Sequence, residues 1–122
     1  MPRERSSTSV KHRLPKPLHV GGKLYRFHYD PELAERDLLG ETSMDRGQIG
    51  IVSNSATLPT VLLETVVHET IHAIGHEWQL GDLLNDNSPE AERIVRSLTT
   101  GLLQVLPQLE DWLRETRRAT EA

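Results

Sequence analysis

Residues 66–78 read VVHETIHAIGHEW, an apolar segment in which three histidines recur at intervals of four. Because an α-helix completes a turn every 3.6 residues, this spacing places His68, His72 and His76 along one stripe of a helix. Apolar side chains fill most of the opposite arc. We therefore predict a helix from about residue 57 to about residue 80, central in the fold, with a polar strip of histidines on one side.

Residues 68–72 read HETIH and match the pattern HExxH. Two residues four apart share a helix face, so the imidazoles of His68 and His72 can both reach one zinc ion. Glu69 projects one step round the helix, where it can take a proton from a water better than it can serve as a third ligand. The motif predicts a zinc-dependent, metallopeptidase-like hydrolase in which zinc and Glu69 activate a water that attacks a peptide carbonyl.

A catalytic zinc usually has three protein ligands, so one more is needed. His76 lies about 12 Å from His68 along a straight helix, which is too far for both to bind one ion without strain. No histidine follows His76, so we expect a carboxylate from the downstream segment. The candidates are Asp82, Asp86, Glu90 and Glu92.

Glu90 and Glu92 open a second helix whose apolar positions must pack back against the histidine helix. We favour Glu92 as the third ligand because it leads directly into the apolar pair Ile94 and Val95. Glu90 and His76 stay open as alternative ligands or as residues beside the metal site. Acidic residues in a first helical turn also favour the helix dipole and need no metal.

The order of elements predicts the fold class. Two hairpins precede the histidine helix, with turns at residues 21–22 and 45–47, and apolar residues at helical spacing follow it. We predict an α+β fold, in which a small antiparallel sheet of two hairpins packs on a central HExxH helix and a C-terminal helix pair broken at Pro107. Residues 1–16 are predicted to be a disordered basic tail, and residues 17–118 a single domain.

Charge and composition limit the classes of partner that we expect for this chain. Seven Lys or Arg and one acid lie in residues 1–26, whereas two Lys or Arg and thirteen acids lie in residues 27–92. Without interleaved aromatic residues, the basic tail does not favour nucleic acid as the main partner. The chain has no cysteine and no apolar run long enough for a bilayer, and we expect no signal peptide because the first residues are polar and basic. We expect a soluble intracellular protein with a protein or peptide substrate, and the oligomeric state stays open.

The segment HETIHAIGHEW, followed by EAERIVRSLTTGLLQVLPQLEDWL, resembles compact HExxH proteins encoded by phages and prophages. These are loosely related to zinc metallopeptidases of the ImmA/IrrE type, and the resemblance covers about residues 17–115. It implies a zincin-like domain, with His68 and His72 as zinc ligands and Glu69 as general base. It also implies a downstream helix glutamate, Glu92 or Glu90, as third ligand, and the cytoplasm of a bacterial host as location.

Further expectations concern substrate binding and turnover. In many zinc peptidases an edge strand near the metal pairs with an extended substrate, and residues 48–52 are our candidate for that strand. The first hairpin offers His28, Tyr25 and Tyr29 as candidate donors to an oxyanion. Two other readings stay open. One is a non-catalytic, zinc-stabilised phage regulatory or assembly module, and the other is a metal-free helical interaction domain.

Overall fold

The computed structural model describes residues 13–52, 58–85 and 88–121. The strands are β1 (Leu18–Val20), β2 (Lys23–Tyr29), β3 (Gly40–Ser43) and β4 (Gln48–Ile51). The helices are α1 (Glu32–Glu35), α2 (Pro59–Glu77), α3 (Gly81–Leu84) and α4 (Pro89–Glu121). The predicted α+β class is confirmed. No helix within the described ranges is both long enough and apolar enough to cross a membrane.

The four strands form one sheet in the order β1-β2-β4-β3. Both predicted hairpins are present, and Gly21 and Gly47 supply the positive φ angles of their turns, at 62° and 63°. The strands β2 and β4 pair in parallel, however, so the sheet is mixed and the prediction of a purely antiparallel sheet is wrong at this pairing. The arrangement puts the fully buried Ile49 and Ile51 in an inner strand, and leaves the polar strand β3 at an edge.

The main core lies between the sheet and α2. Its buried members are Val20, Tyr25, Ile49, Ile51, Leu62 and Ala73. Leu14 packs against this cluster, so the last part of the predicted tail lies on the domain. Residues 1–12, the rest of that tail, lie outside the described residues.

A second cluster lies on the other side of α2, where α3 and α4 cover it. Ile71, Leu84 and Val95 are its buried members. The helix α2 therefore lies between the sheet and α4, which confirms its predicted central position. It is less enclosed than its apolar arc indicated, because Leu63 and Trp78 are more than half exposed.

The C-terminal end of α2 determines where α3 lies. The helix ends at Glu77, and Gln79 adopts a left-handed φ of 62°, so the helix is shorter than predicted. Residue 57, its predicted start, lies outside the described residues. A Cβ added to Gly75 would lie 2.8 Å from the Cβ of Leu84, which shows how closely α3 packs against α2. This close approach brings the end of α3, at Asn85, near the histidines.

The helix α4 continues through Pro107 as one helix of 33 residues, so the predicted helix pair is wrong. Proline costs a helix about 3 kcal/mol, but it can bend the helix instead of ending it. Pro107 lies in a stretch, residues 104–121, in which every side chain is exposed. A local adjustment of the backbone there meets no packed neighbour among the described residues.

Candidate metal centre

His68 and His72 point from α2 toward α4, where they meet Glu92. The Nε2 atom of His68 lies 3.2 Å from Oε1 of Glu92, and the Nε2 atom of His72 lies 3.1 Å from Oε2. One ligand atom from each of the three residues lies within 4.8 Å of the others. The structure thus brings together the two motif histidines and the favoured glutamate, across two helices.

The chemistry of these three side chains fits a metal ion. A carboxylate facing two imidazole nitrogens needs positive charge between them, either as protons on both rings or as a cation. Two histidines and one glutamate form a ligand set that is known from catalytic zinc sites. The group can therefore hold a metal ion.

Asn85 fixes the orientation of one histidine. Its Oδ1 lies 2.9 Å from Nδ1 of His72, and an amide oxygen can only accept a hydrogen bond. When the ring is neutral, this contact favours the tautomer with its proton on Nδ1, in which the lone pair of Nε2 faces Glu92. Partners of this kind hold a histidine in the tautomer that binds metal.

Glu69 is turned from the histidines toward β3 and is only 7% exposed. Its Oε1 accepts a hydrogen bond from Oγ1 of Thr42 at 2.7 Å, and the same hydroxyl lies 3.0 Å from the main-chain oxygen of Glu69. Burial raises the pKa of Glu69, although the hydrogen bond from Thr42 and the two nearby histidines oppose that shift. The result is a buried, oriented carboxyl next to the three candidate ligands.

The close contact between β3 and α2 depends on a glycine. A Cβ added to Gly40 would lie 2.8 Å from both Cγ of Glu69 and Cγ2 of Thr65. No sequence pattern identifies Gly40, Thr42 or Asn85 as site residues. Thr42 and Asn85 lie 27 and 13 residues from their partners, so no local pattern pairs them.

A cleft of about 860 Å³ opens beside the three candidate ligands. Leu38, Leu39 and Met44 line it near the sheet edge, and Thr100 lines it from α4. Arg96 is the only Lys or Arg among the described residues that line the cleft. The cleft therefore combines apolar and charged walls and gives solvent access to the candidate ligands.

The other ligand candidates lie elsewhere. Glu90 is exposed and pairs with Arg93, with 2.5 Å between Oε2 and the guanidinium. His76 and Asp82 are also exposed, and among the described residues none of these three joins the histidine group. Asp86 lies outside the described residues.

The predicted edge strand and the predicted oxyanion donors do not lie at the cleft. The strand β4, which contains most of residues 48–52, lies inside the sheet because β2 and β3 flank it, so β3 is the edge strand at the cleft. Tyr25 donates to Oε2 of Glu77 at 2.7 Å, Tyr29 packs against the main core, and His28 lines a depression formed with Ser43 and Gly50. Tyr25, Tyr29 and His28 are not among the described residues that line the cleft.

Comparison of the chain with protein-family models, with curated proteins and with solved structures gives no match. The resemblance to phage-encoded HExxH proteins thus stays a prediction from the motif.

Proposed function

We propose that this protein is a zinc-dependent peptidase whose ligands are His68, His72 and Glu92. The observation that carries the proposal is the position of a buried, oriented Glu69 beside a group of two histidines and one glutamate. A site that only held a metal for stability would gain nothing from a buried carboxyl next to it, because burial of a charge is costly.

When bound, the zinc ion would supply a Lewis acid that polarises the scissile carbonyl. Glu69 accepts a proton from the water whose oxygen attacks the carbonyl carbon. It then returns this proton to the amide nitrogen as the C–N bond breaks, so that the products are a carboxylic acid and an amine. The raised pKa of Glu69 suits this role, because a proton carrier works best when its pKa lies near the pH of the reaction.

The strand β3 supports an extended polypeptide as substrate. The N–H of Val52 donates to the carbonyl of Leu39, which makes residues 39 and 52 a hydrogen-bonded pair. In an antiparallel ladder such pairs alternate, so the polar main-chain groups of Gly40 and Thr42 face the open edge. A peptide added along this edge would pass the candidate ligands, since Thr42 touches Glu69.

Glu69→Gln separates metal binding from turnover. We expect the purified variant to keep about one zinc per chain while hydrolysis of labelled, unfolded casein falls by about a hundredfold or more. Elemental analysis and the fluorescence of released peptides give the two readouts. If the variant cleaves casein as fast as the natural protein, the proposed role of Glu69 is wrong. If the natural protein binds zinc but cleaves neither casein nor a peptide library, the site is a non-catalytic metal centre.

The third ligand has a matched control on the same helix turn. We expect Glu92→Ala to lose most of the bound zinc, because it removes a ligand, and Glu90→Ala to keep it, because Glu90 is exposed and pairs with Arg93. Elemental analysis of both variants, purified without added metal, makes the test. If Glu92→Ala keeps as much zinc as the natural protein, Glu92 is not a ligand.

A further inference from the structure

Arg96 is a charged side chain of the cleft to which the proposed function gives no role. It lies on α4 one turn after Glu92, and residues 92, 96, 99 and 100 of this helix all line the cleft. Positions four apart share a helix face, so Arg96 lies on the face that carries the candidate ligand. Four residues of helix rise about 6 Å, a distance that an extended arginine side chain covers. The guanidinium can therefore reach the space in front of the candidate ligands.

Arg96 has no partner of opposite charge within the described part of the chain, although its position in the sequence provides one. A glutamate four residues before an arginine is placed for an ion pair across one helix turn. The two carboxylate oxygens of Glu92 face His68 and His72 instead. Arg96 makes no ion pair or side-chain hydrogen bond with any described residue. The arginines that do pair with a carboxylate are Arg36, Arg93 and Arg114. Because arginine stays charged, the guanidinium of Arg96 is available to an anion in the cleft.

Three other hydrogen-bond donors of the cleft are used within the protein. The hydroxyl of Thr42 donates to Glu69, and those of Thr65 and Thr99 donate to carbonyls one helix turn before them. The hairpin side chains that the sequence offered as oxyanion donors are not among the described residues that line the cleft. Arg96 is thus the strongest donor left, in the described part of the cleft, for negative charge on a bound molecule.

The proposed position of the substrate brings a carbonyl oxygen toward Arg96. The strand β3 lines one side of the cleft, and α4 lines it with Glu92 and Arg96. Carbonyls of an extended peptide point alternately to its two sides, so those that do not pair with β3 point away from that strand. When the attacking water adds to the carbonyl carbon, its proton passes to Glu69 and an electron pair of the C=O bond moves to the oxygen. This oxygen becomes negatively charged, and active sites stabilise such charge with fixed donors.

We propose that Arg96 is a catalytic residue that binds the negatively charged oxygen of the tetrahedral intermediate. The inference rests on the proposed peptidase function. The guanidinium suits this task because it presents several N–H groups to an anionic oxygen and needs no proton transfer to become charged.

Arg96→Ala tests this role, with Arg93→Ala as a matched control. Arg93 carries the same charge on the same helix, but it pairs with Glu90 and is not among the described residues that line the cleft. We expect Arg96→Ala to keep its zinc and to lower kcat for labelled, unfolded casein about a hundredfold, with KM changed by less than about threefold. Arg96→Lys should recover about tenfold of that loss, because it restores the positive charge. Arg93→Ala should stay within about twofold of the natural protein.

Casein whose carboxyl groups have been converted to amides distinguishes the tetrahedral oxygen from a carboxylate of the substrate. We expect Arg96→Ala to lose the same factor in kcat on blocked and on unblocked casein. A loss confined to unblocked casein, or a loss in KM alone, overturns the proposal because Arg96 then binds a substrate carboxylate. An unchanged kcat in Arg96→Ala, or an equal loss in Arg93→Ala, overturns it while the peptidase function stands. A natural protein without any hydrolysis overturns the peptidase function and with it the catalytic role of Arg96.

Binding of an oxyanion is also measured without turnover. Inorganic phosphate is a tetrahedral oxyanion, and the visible absorption of the cobalt-loaded protein reports its binding beside the metal. We expect Arg96→Ala to weaken phosphate binding at least about fivefold and Arg93→Ala to leave it within about twofold. If the natural protein binds no phosphate, or if Arg96→Ala binds it as tightly as the natural protein, Arg96 does not bind an oxyanion at this site.

Discussion

The two halves of α4 share one apolar period but meet different surroundings. In the first half, Ala91, Val95 and Thr99 are buried, and Val95 contributes to the cluster between α2 and α4. In the second half, residues 104–121 are all exposed. The comparison teaches that a periodic pattern shows which face of a helix is apolar, whereas only the rest of the structure shows what covers that face.

The two halves of α4 also differ in whether they contribute to the candidate metal centre. The packed half presents Glu92 to the histidines, so its position depends on the core of the domain. The exposed half, residues 104–121, lies beyond the packed part of the helix. We therefore expect substitutions in the exposed half to leave metal binding at His68, His72 and Glu92 unchanged.

The largest expected effect comes from placing the same charged residue in the packed half and in the exposed half of α4. Val95 and Leu109 occupy equivalent positions of the same repeat, but Val95 is 0% exposed and Leu109 is 48% exposed. We expect Val95→Asp to lower the free energy of unfolding by about 3 kcal/mol or more, because it buries an unpaired charge. Leu109→Asp should change it by less than about 0.5 kcal/mol.

Urea unfolding of both variants measures these two values. A similar loss of stability in both would show that the exposed half belongs to the folding core.

The next effect tests how closely β3 approaches the packed part of the site. Gly40→Ala would place a Cβ against Glu69 and Thr65, so we expect a loss of about 1–3 kcal/mol in unfolding free energy. Gly22→Ala is the control, because nothing lies within 4 Å of its added Cβ. Thermal unfolding of the two variants compares them. If Gly40→Ala is as stable as Gly22→Ala, the strand does not pack against Glu69 as described.

Asn85 tests the orientation of His72. We expect Asn85→Ala to weaken zinc binding by about 10–100-fold while the fold is retained, because the ring loses the acceptor that fixes its tautomer. Competition with a coloured zinc chelator measures the affinity. Asn85→Asp should bind zinc at least as well as the natural protein, since it keeps the acceptor. Unchanged affinity in Asn85→Ala would mean that other contacts hold the ring.

The smallest expected effect concerns the buried carboxyl itself. Burial raises the pKa of Glu69 in the folded state above its ordinary value of 4.5, so its contribution to stability is present at low pH and is lost as the pH rises through the folded-state pKa. Glu69→Gln carries no charge at any pH. We expect the metal-free variant to be more stable than the metal-free natural protein at neutral pH, with the difference disappearing toward pH 4.

Unfolding curves of both proteins between about pH 4 and about pH 8 test the sign of this stability difference. A variant that is less stable than the natural protein at neutral pH would contradict it, and would indicate that the charged carboxylate is held by stronger hydrogen bonds than the one from Thr42.

The sequence predicted candidate site residues on two helices. The motif HExxH predicted His68, Glu69 and His72 on α2, and Glu92 on α4 was favoured because it precedes the apolar pair Ile94 and Val95. The structure brings His68, His72 and Glu92 together, which leaves the identity of the metal and the chemistry as predictions. The turns of both hairpins were also predicted, because glycine is suited to the positive φ that they need.

The wrong expectations concern relations between distant segments. Hairpin signals are local and do not say which strands of two hairpins will meet, so the parallel pairing of β2 and β4 was missed and the wrong strand was predicted to lie at the edge. Pro107 was predicted to break a helix that continues, because the cost of a proline depends on whether the surroundings allow the backbone to adjust.

The sequence by itself determined the local periods: the histidine stripe, the apolar faces of the helices and the turns of the hairpins. These depend on backbone geometry that every helix and turn shares. Only the tertiary structure decided which faces are covered and which side chains complete the site, such as Thr42 against Glu69 and Asn85 against His72. The reason is that packing joins residues far apart in the chain, and local spacing carries no information about those contacts.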